Sequence, residues 1–127
     1  MPTFKQTVLY TAQSGEALFK EEHIALDQGQ PQSQLSALMP SQGYQLRHSP
    51  VGFASAFHCT TTPQWVFILQ GQMQINLHNG ESRVFKPGEH FYSADTPPPG
   101  VEFDPERHGH SSRQVGDEPL VTLFLRG

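Results

Sequence analysis

The chain has 127 residues, a length typical of one domain, with 11 Gly, 11 Pro and a formal net charge of -4. Its eight Lys and Arg residues are scattered singly, which excludes a basic stripe for nucleic acid, and its single Cys excludes an intramolecular disulfide. No signal-peptide pattern and no apolar run of membrane-spanning length is present, so we expect a cytoplasmic protein without a membrane partner.

Short strands are predicted along most of the chain. Residues 14–27 fit either a helix capped by Ser14 or a strand with alternating apolar side chains, and we favour the strand. The glutamines from Gln28 to Gln34 predict a polar surface loop. Further strands are predicted where β-branched, aromatic or aliphatic residues lie between Gly, Pro, Asn or Ser, in residues 44–48, 53–58, 64–70, 72–77, 83–86, 90–93 and 119–125.

Two sequence features indicate how these strands are arranged. Asn79-Gly80 can supply positive φ at both central positions of a tight turn, and it predicts a hairpin between residues 72–77 and 83–86. Residues 119–125 are apolar on both faces, which is typical of a strand in the middle of a sheet. This density of short strands predicts an all-β domain, either a sandwich or a barrel.

His58 is the first candidate site residue. On an extended strand it shares one face with two small alanines, which leaves space beside the imidazole for a ligand or a metal ion. The alternative is a structural histidine held in a turn by hydrogen bonds. Cys59 would point to the opposite face, which argues against a nucleophile and base pair formed by these neighbours.

A second group of candidates lies much farther along the chain. His108-x-His110 has the spacing that places both imidazoles on one face of an extended segment, within reach of one ion. The alternative is an exposed loop with two solvated histidines. Arg113 could neutralise an acidic substrate or form an ion pair with Asp117, and we favour the ion pair.

The segment from Gly52 to Leu125 resembles a small single-domain cupin. The resemblance rests on Gly52-x5-His58 and Gln64-x6-Gly71 for the first cupin motif, Pro87-Gly88-Glu89 for the turn that begins the second, and His110 for its histidine. It implies a double-stranded β-helix, a jelly-roll-like barrel, as one domain over residues 1–127, with N-terminal strands and loops in 1–43 and the barrel core in 44–125. It also implies a homodimer and a divalent transition metal, Fe, Mn, Ni or Zn, at the barrel mouth.

Two positions depart from the ligand pattern of that family. Thr60 stands where the first motif has a second His, and Gln64 stands where it has a Glu, so the motif has no anionic ligand. An insertion of residues 95–109 precedes His110, and we expect it to form a lid or rim over the barrel opening. This insertion carries His108 as a replacement ligand.

These features leave two functions open. In the first, His58, His108 and His110 hold the metal with Gln64 as a weak fourth ligand, and the metal supports oxygenation, isomerisation or lyase chemistry on a small polar molecule. In the second, the barrel binds a small ligand without metal or catalysis, as a sensor or accessory module. A purely structural barrel that functions at its dimer surface is a third reading. The candidate ligand-binding residues are Thr60, Arg113 and His90, and a structural role for His90 is the favoured alternative.

Overall fold

The computed structural model describes residues 2–96 and 99–127. Its described residues form strands and no helix, which confirms the predicted all-β class. Within these residues the chain forms the strands β1 (Thr3–Thr11), β2 (Ala17–Ala25), β3 (Gln28–Gln30), β4 (Ser33–Leu35), β5 (Tyr44–Ser49), β6 (Gln64–Gln70), β7 (Gln72–Asn76), β8 (Ser82–Phe85), β9 (His90–Ala94), β10 (Ser111–Val115) and β11 (Leu120–Arg126). None of the described residues belongs to a helix capable of crossing a membrane.

The strands form two facing sheets and one small hairpin. The larger sheet has the order β2-β1-β9-β6-β11-β5, and the smaller one has the order β10-β7-β8. Strands β3 and β4 pair with each other outside both sheets. The pairing of β1 with β9 is parallel, whereas the other pairs are antiparallel. This jelly-roll-like arrangement of two sheets agrees with the fold class predicted from the sequence.

The hydrophobic core lies between the two sheets. Along β6, Val66 and Ile68 are buried, whereas Trp65 and Phe67 alternate with them on the outer face. Opposing side chains from the smaller sheet complete the core, and the cluster contains Leu9, Ala17, Val66, Ile68, Met73, Ile75, Leu77, Phe85, Phe91 and Leu120. Each of its larger aliphatic or aromatic side chains contributes about 1.5–3 kcal/mol through burial.

Most strand predictions are confirmed. Residues 17–25 form a strand rather than a helix, and β11 lies between β6 and β5, as its apolar faces predict. The predicted strand over residues 53–58 is wrong, because this segment forms two isolated bridges, Ala54 with Arg113 and His58 with His110, and no continuous ladder. Its alternating small side chains give it little apolar surface with which to hold a continuous strand against the sheet.

Two loop predictions also need correction. Part of the predicted polar loop of glutamines forms the β3–β4 hairpin. The predicted hairpin between β7 and β8 is present, but of the two turn residues only Gly80 has a positive φ, at 90°. The amide of Gly80 donates to the Leu77 carbonyl at 3.2 Å, and the Leu77 amide donates to the Glu81 carbonyl at 2.9 Å. The turn is therefore wider than the two-residue turn that was expected.

The insertion before His110 includes Pro97 and Pro98, which lie outside the described residues. The described part from 99 to 107 has no strand and is largely exposed. Its last residues form a turn in which the amides of Arg107 and His108 both donate to the Asp104 carbonyl. This turn places His110 beside the end of the core.

Candidate functional site

A polar cavity of about 200 Å³ opens at one end of the space between the two sheets. Its floor is apolar and includes Val66, Ile75 and Phe91 from the core. Its remaining lining residues are Arg47, His58, Cys59, Thr60, Thr61, Gln64, Met73, Ser93, His110, Ser112 and Phe124. A small pocket with an apolar floor and several polar groups around it is the usual form of a ligand site.

The backbone brings His58 and His110 together as one unit. The two residues form an isolated antiparallel bridge, with amide-to-carbonyl hydrogen bonds of 2.9 Å in both directions. Their rings are 4.7 Å apart between centroids. Gly109 makes this approach possible, because it has a φ of 82° and a Cβ at its position would collide with the His58 carbonyl. The pairing of these two histidines predicted from the sequence is thus present.

Hydrogen bonds also hold the orientation of both rings. Nδ1 of His58 donates to the Ala56 carbonyl at 2.9 Å, and Nδ1 of His110 donates to Oδ2 of Asp95 at 2.8 Å. A carbonyl or carboxylate oxygen accepts, so the proton of each neutral ring lies on Nδ1. The Nε2 atom of each histidine is therefore the nitrogen that can accept a hydrogen bond or bind an ion.

Asp95 is the main site residue that sequence reasoning missed. It is fully buried, and its Oδ1 accepts a hydrogen bond of 2.7 Å from the Thr11 hydroxyl while its Oδ2 contacts His110. The signal that could have found it is the alternation of β9, because Phe91 and Ser93 are buried and Asp95 continues the same face. A carboxylate that orients an imidazole is also the arrangement that supports a general base.

Thr60 and Gln64, the two positions that depart from the cupin pattern, both line the cavity. The buried Thr60 hydroxyl is hydrogen bonded to the Ser93 hydroxyl, so its polar atom already has a partner. Gln64 is half-buried at the start of β6 and lies closer to the cavity entrance, where it also lines an outer groove. Of the two, Gln64 is the better placed to meet a ligand.

The structure places His108 away from the His58–His110 pair. Its ring packs beside Gly15, and its Nδ1 accepts a hydrogen bond of 3.0 Å from the Asp104 amide. This bond leaves the proton of the neutral ring on Nε2, so the ring has no free nitrogen for a metal in this arrangement. His108 is buried outside the cavity lining, and it stabilises the turn before His110.

His90 and Arg113 also lie outside the cavity. His90 is on the outer face of the larger sheet, where its ring stacks with Phe4, Trp65 and Phe67 at centroid distances of 4.9–5.5 Å. Burial in this aromatic group lowers the pKa of His90. Arg113 is exposed and donates from Nη2 to Oε1 of Gln74 at 3.0 Å. Among the described residues it has no ion pair with Asp117, contrary to the favoured interpretation.

Cys59 lines the same cavity as His58, although strand alternation predicted opposite faces. The prediction was wrong because residues 53–58 are not a regular strand. Burial, together with the charge of Asp95, raises the pKa of the Cys59 thiol to about 11. The thiol is thus protonated at neutral pH and is not an activated nucleophile, which agrees with the argument from the sequence against a pair formed by Cys59 and His58.

The residues of the cavity fit a full metal centre poorly. His58 and His110 supply two imidazole nitrogens. The oxygen donors beside them are neutral, Arg47 is a cation and the Cys59 thiol is protonated, whereas catalytic zinc sites have three protein ligands. Across residues 2–96 and 99–127, no group of three or more His, Cys, Asp or Glu side chains is arranged to hold a metal ion. The three-histidine cluster predicted from the sequence is not assembled in this structure.

No protein-family model matches the chain, and a comparison with curated proteins finds no significant similarity.

Proposed function

We propose that this protein binds a small polar molecule in the cavity, where the Nε2 atoms of His58 and His110 accept its hydrogen bonds. The observation that carries the proposal is that both Nδ1 atoms are already hydrogen bonded, so the two imidazoles are oriented before a ligand arrives. Rings fixed in this way lose little further freedom when a ligand binds. The cupin-like spacing in the sequence and the jelly-roll-like fold support the same location, since the resemblance implies a site at the barrel mouth.

Proton transfer to His110 is the chemistry that this site favours. The buried Asp95 carboxylate holds Nδ1–H of His110 at 2.8 Å and stabilises the ring when Nε2 takes up a proton. A bound hydroxyl group or carbon acid next to Nε2 would be the proton donor. Isomerisation and lyase reactions include such a step, and both are among the reaction types expected from the sequence.

A ligand screen with matched histidine variants tests the proposal. A panel of small hydroxy acids, amides, sugars and polyols is tested by thermal shift, and the affinity of each hit is then measured by calorimetry. We expect at least one panel member to bind the parent, and His110→Ala to weaken it by about tenfold or more because a hydrogen bond is lost. His48→Ala is the control, since His48 is exposed on β5 outside the cavity. Equal binding by both variants would refute the assignment of the site.

A divalent transition metal is the second candidate ligand. One observation favours it: a hydrogen bond to Nδ1 and an available Nε2 are typical of metal-binding histidines. Elemental analysis of protein purified without a histidine tag tests this candidate, with His58→Ala and His110→Ala as variants. Near-stoichiometric metal in the parent that is lost in both variants would support it. If the parent protein contains no metal and still binds panel members, the metal candidate is refuted and the metal-independent proposal stands.

The homodimer and the cytoplasmic location remain predictions. The outer face of the larger sheet has an apolar groove of about 570 Å³, lined in part by Trp65, Phe67 and Met39. Leu38 also lines the groove and is 98% exposed, and a second copy of the chain would cover these side chains. Light scattering coupled to size-exclusion chromatography tests the dimer, with Leu38→Ser expected to weaken it. A monomeric parent at micromolar concentration would contradict the prediction.

A further inference from the structure

Arg47 brings a positive charge to the cavity and was not among the candidates from the sequence. It projects from β5, lines the cavity, and lies between the rings of Phe53 and Phe124 at 5.1 and 4.9 Å from their centroids. Its Nε and Nη2 atoms are both buried, and neither has a hydrogen-bond partner among the described residues. Burial also lowers the pKa of this guanidinium.

A half-buried guanidinium without an anion is unfavourable, because Nε and Nη2 have lost their hydration and the faces of Phe53 and Phe124 compensate only part of that loss. The described residues that line the cavity include no Asp or Glu. The nearby carboxylate of Asp95 is already engaged by Thr11 and His110. The charge of Arg47 therefore has no counterpart among these groups, and an incoming anion would supply one.

We infer that the ligand of this cavity is a small carboxylate, bound through its carboxylate group to Arg47 and through its other polar atoms to His58 and His110. The inference rests on the proposed function, since it names the chemical class of the molecule in the same cavity. A planar guanidinium matches a carboxylate with two parallel hydrogen bonds. Among the described residues no hydrogen bond holds the Nε and Nη2 atoms of Arg47, and binding requires its side chain to turn these atoms toward the ligand.

The dimensions of the cavity limit the size of this carboxylate. A volume of about 200 Å³ corresponds to roughly seven water molecules at ~30 Å³ each. Arg47 and Gln64 also line a groove of about 390 Å³ that continues toward the surface. A short-chain hydroxy acid fits the inner cavity and has a hydroxyl that can donate to Nε2, and a longer substituent would extend past Gln64 into the groove.

Paired probes test the charge requirement. Lactate and lactamide differ mainly in the carboxylate, as do glycolate and glycolamide, and inorganic phosphate represents anions in general. Calorimetry on the whole chain should give tighter binding of each acid than of its amide in the parent. Arg47→Met should weaken binding of the acids by about tenfold or more and leave the weak amide binding unchanged. Arg113→Met is the matched control, because Arg113 is exposed outside the cavity and should leave both affinities unchanged.

Three results would overturn the inference. In the first, the parent binds acids and amides with equal affinity. In the second, Arg47→Met binds the acids as tightly as the parent does. In the third, phosphate binds as tightly as the acids, and its affinity depends on Arg47 to the same extent. If Arg47→Met does not fold, Arg47→Lys keeps the charge without the fork, and it should weaken the acids more than phosphate. If neutral panel members bind in a way that depends on His110, and acids bind no more tightly than they do, only the inference of a carboxylate ligand is refuted. Absence of any ligand that depends on His110 would defeat the proposed function itself.

Discussion

The contact between Asp95 and His110 is the interaction on which the candidate site most depends, and a double-mutant cycle measures it. Asp95→Ala removes the partner of His110 Nδ1 and one of the two hydrogen-bond acceptors of the Thr11 hydroxyl. Thr11 keeps its bond of 2.9 Å to the Thr96 carbonyl, so its hydroxyl is not left without an acceptor. At about 1.5 kcal/mol for each charge-assisted bond, we expect Asp95→Ala to lower the free energy of unfolding by about 3 kcal/mol.

His110→Ala removes only one of these two bonds, so we expect a loss of about 1.5–3 kcal/mol. The free energy of unfolding of the double variant should exceed the value expected from adding the two single losses by about 1.5 kcal/mol. The reason is that the bond shared by Asp95 and His110 is lost only once. Urea unfolding is the assay, and a slope of about 1–3 kcal/mol per molar converts the Asp95→Ala loss into a midpoint shift of about 1–3 M.

The exposed contact between Thr3 and His23, at 3.2 Å, provides the control cycle, with a coupling energy near zero. A coupling of less than about 0.5 kcal/mol between Asp95 and His110 would refute the reasoning, since independent sites add within that range.

Three further predictions concern the surroundings of the site. Gly109→Ala should lower the free energy of unfolding by about 1–3 kcal/mol, because it combines a φ of 82° with a collision against the His58 carbonyl. Gly80→Ala has a similar φ of 90° and no neighbour within 4 Å, so urea unfolding should show a smaller loss, and equal losses would exclude the collision as a cause. Since burial raises the pKa of Cys59 to about 11, iodoacetamide at pH 8 should label the native thiol about tenfold or more slowly than the thiol in urea. Equal labelling rates would contradict this pKa. Burial lowers the pKa of His90 in the folded chain. Below about pH 6.5 the unfolded chain therefore binds a proton at His90 more readily than the folded chain does, and the free energy of unfolding falls on acidification. His90→Phe should reduce the loss of stability between pH 7.5 and pH 5.5 in urea unfolding, and an unchanged loss would exclude His90 as its source.

The candidate site was only partly predictable from the sequence. The spacing singled out His58 and His110, and the structure brings these two residues together through a backbone bridge and adjacent rings. His108 has the same favourable spacing to His110, yet Gly109 between them has a φ of 82° rather than an extended conformation. Strand alternation therefore fails at this residue, and His108 turns toward Asp104 and Gly15.

The sequence alone determined the all-β class and most strand positions, because both depend on properties of neighbouring residues. The strand over residues 64–70 and the central place of β11, which follows from its two apolar faces, are examples that agree with the structure. The tertiary structure alone decided which polar groups meet. Thr11, Arg47 and Asp95 come from three separate strands or strand ends, and each reaches the cavity region only after the sheets pack. Such contacts depend on register and on packing between distant segments, and neither is a property of the residues next to them in the chain.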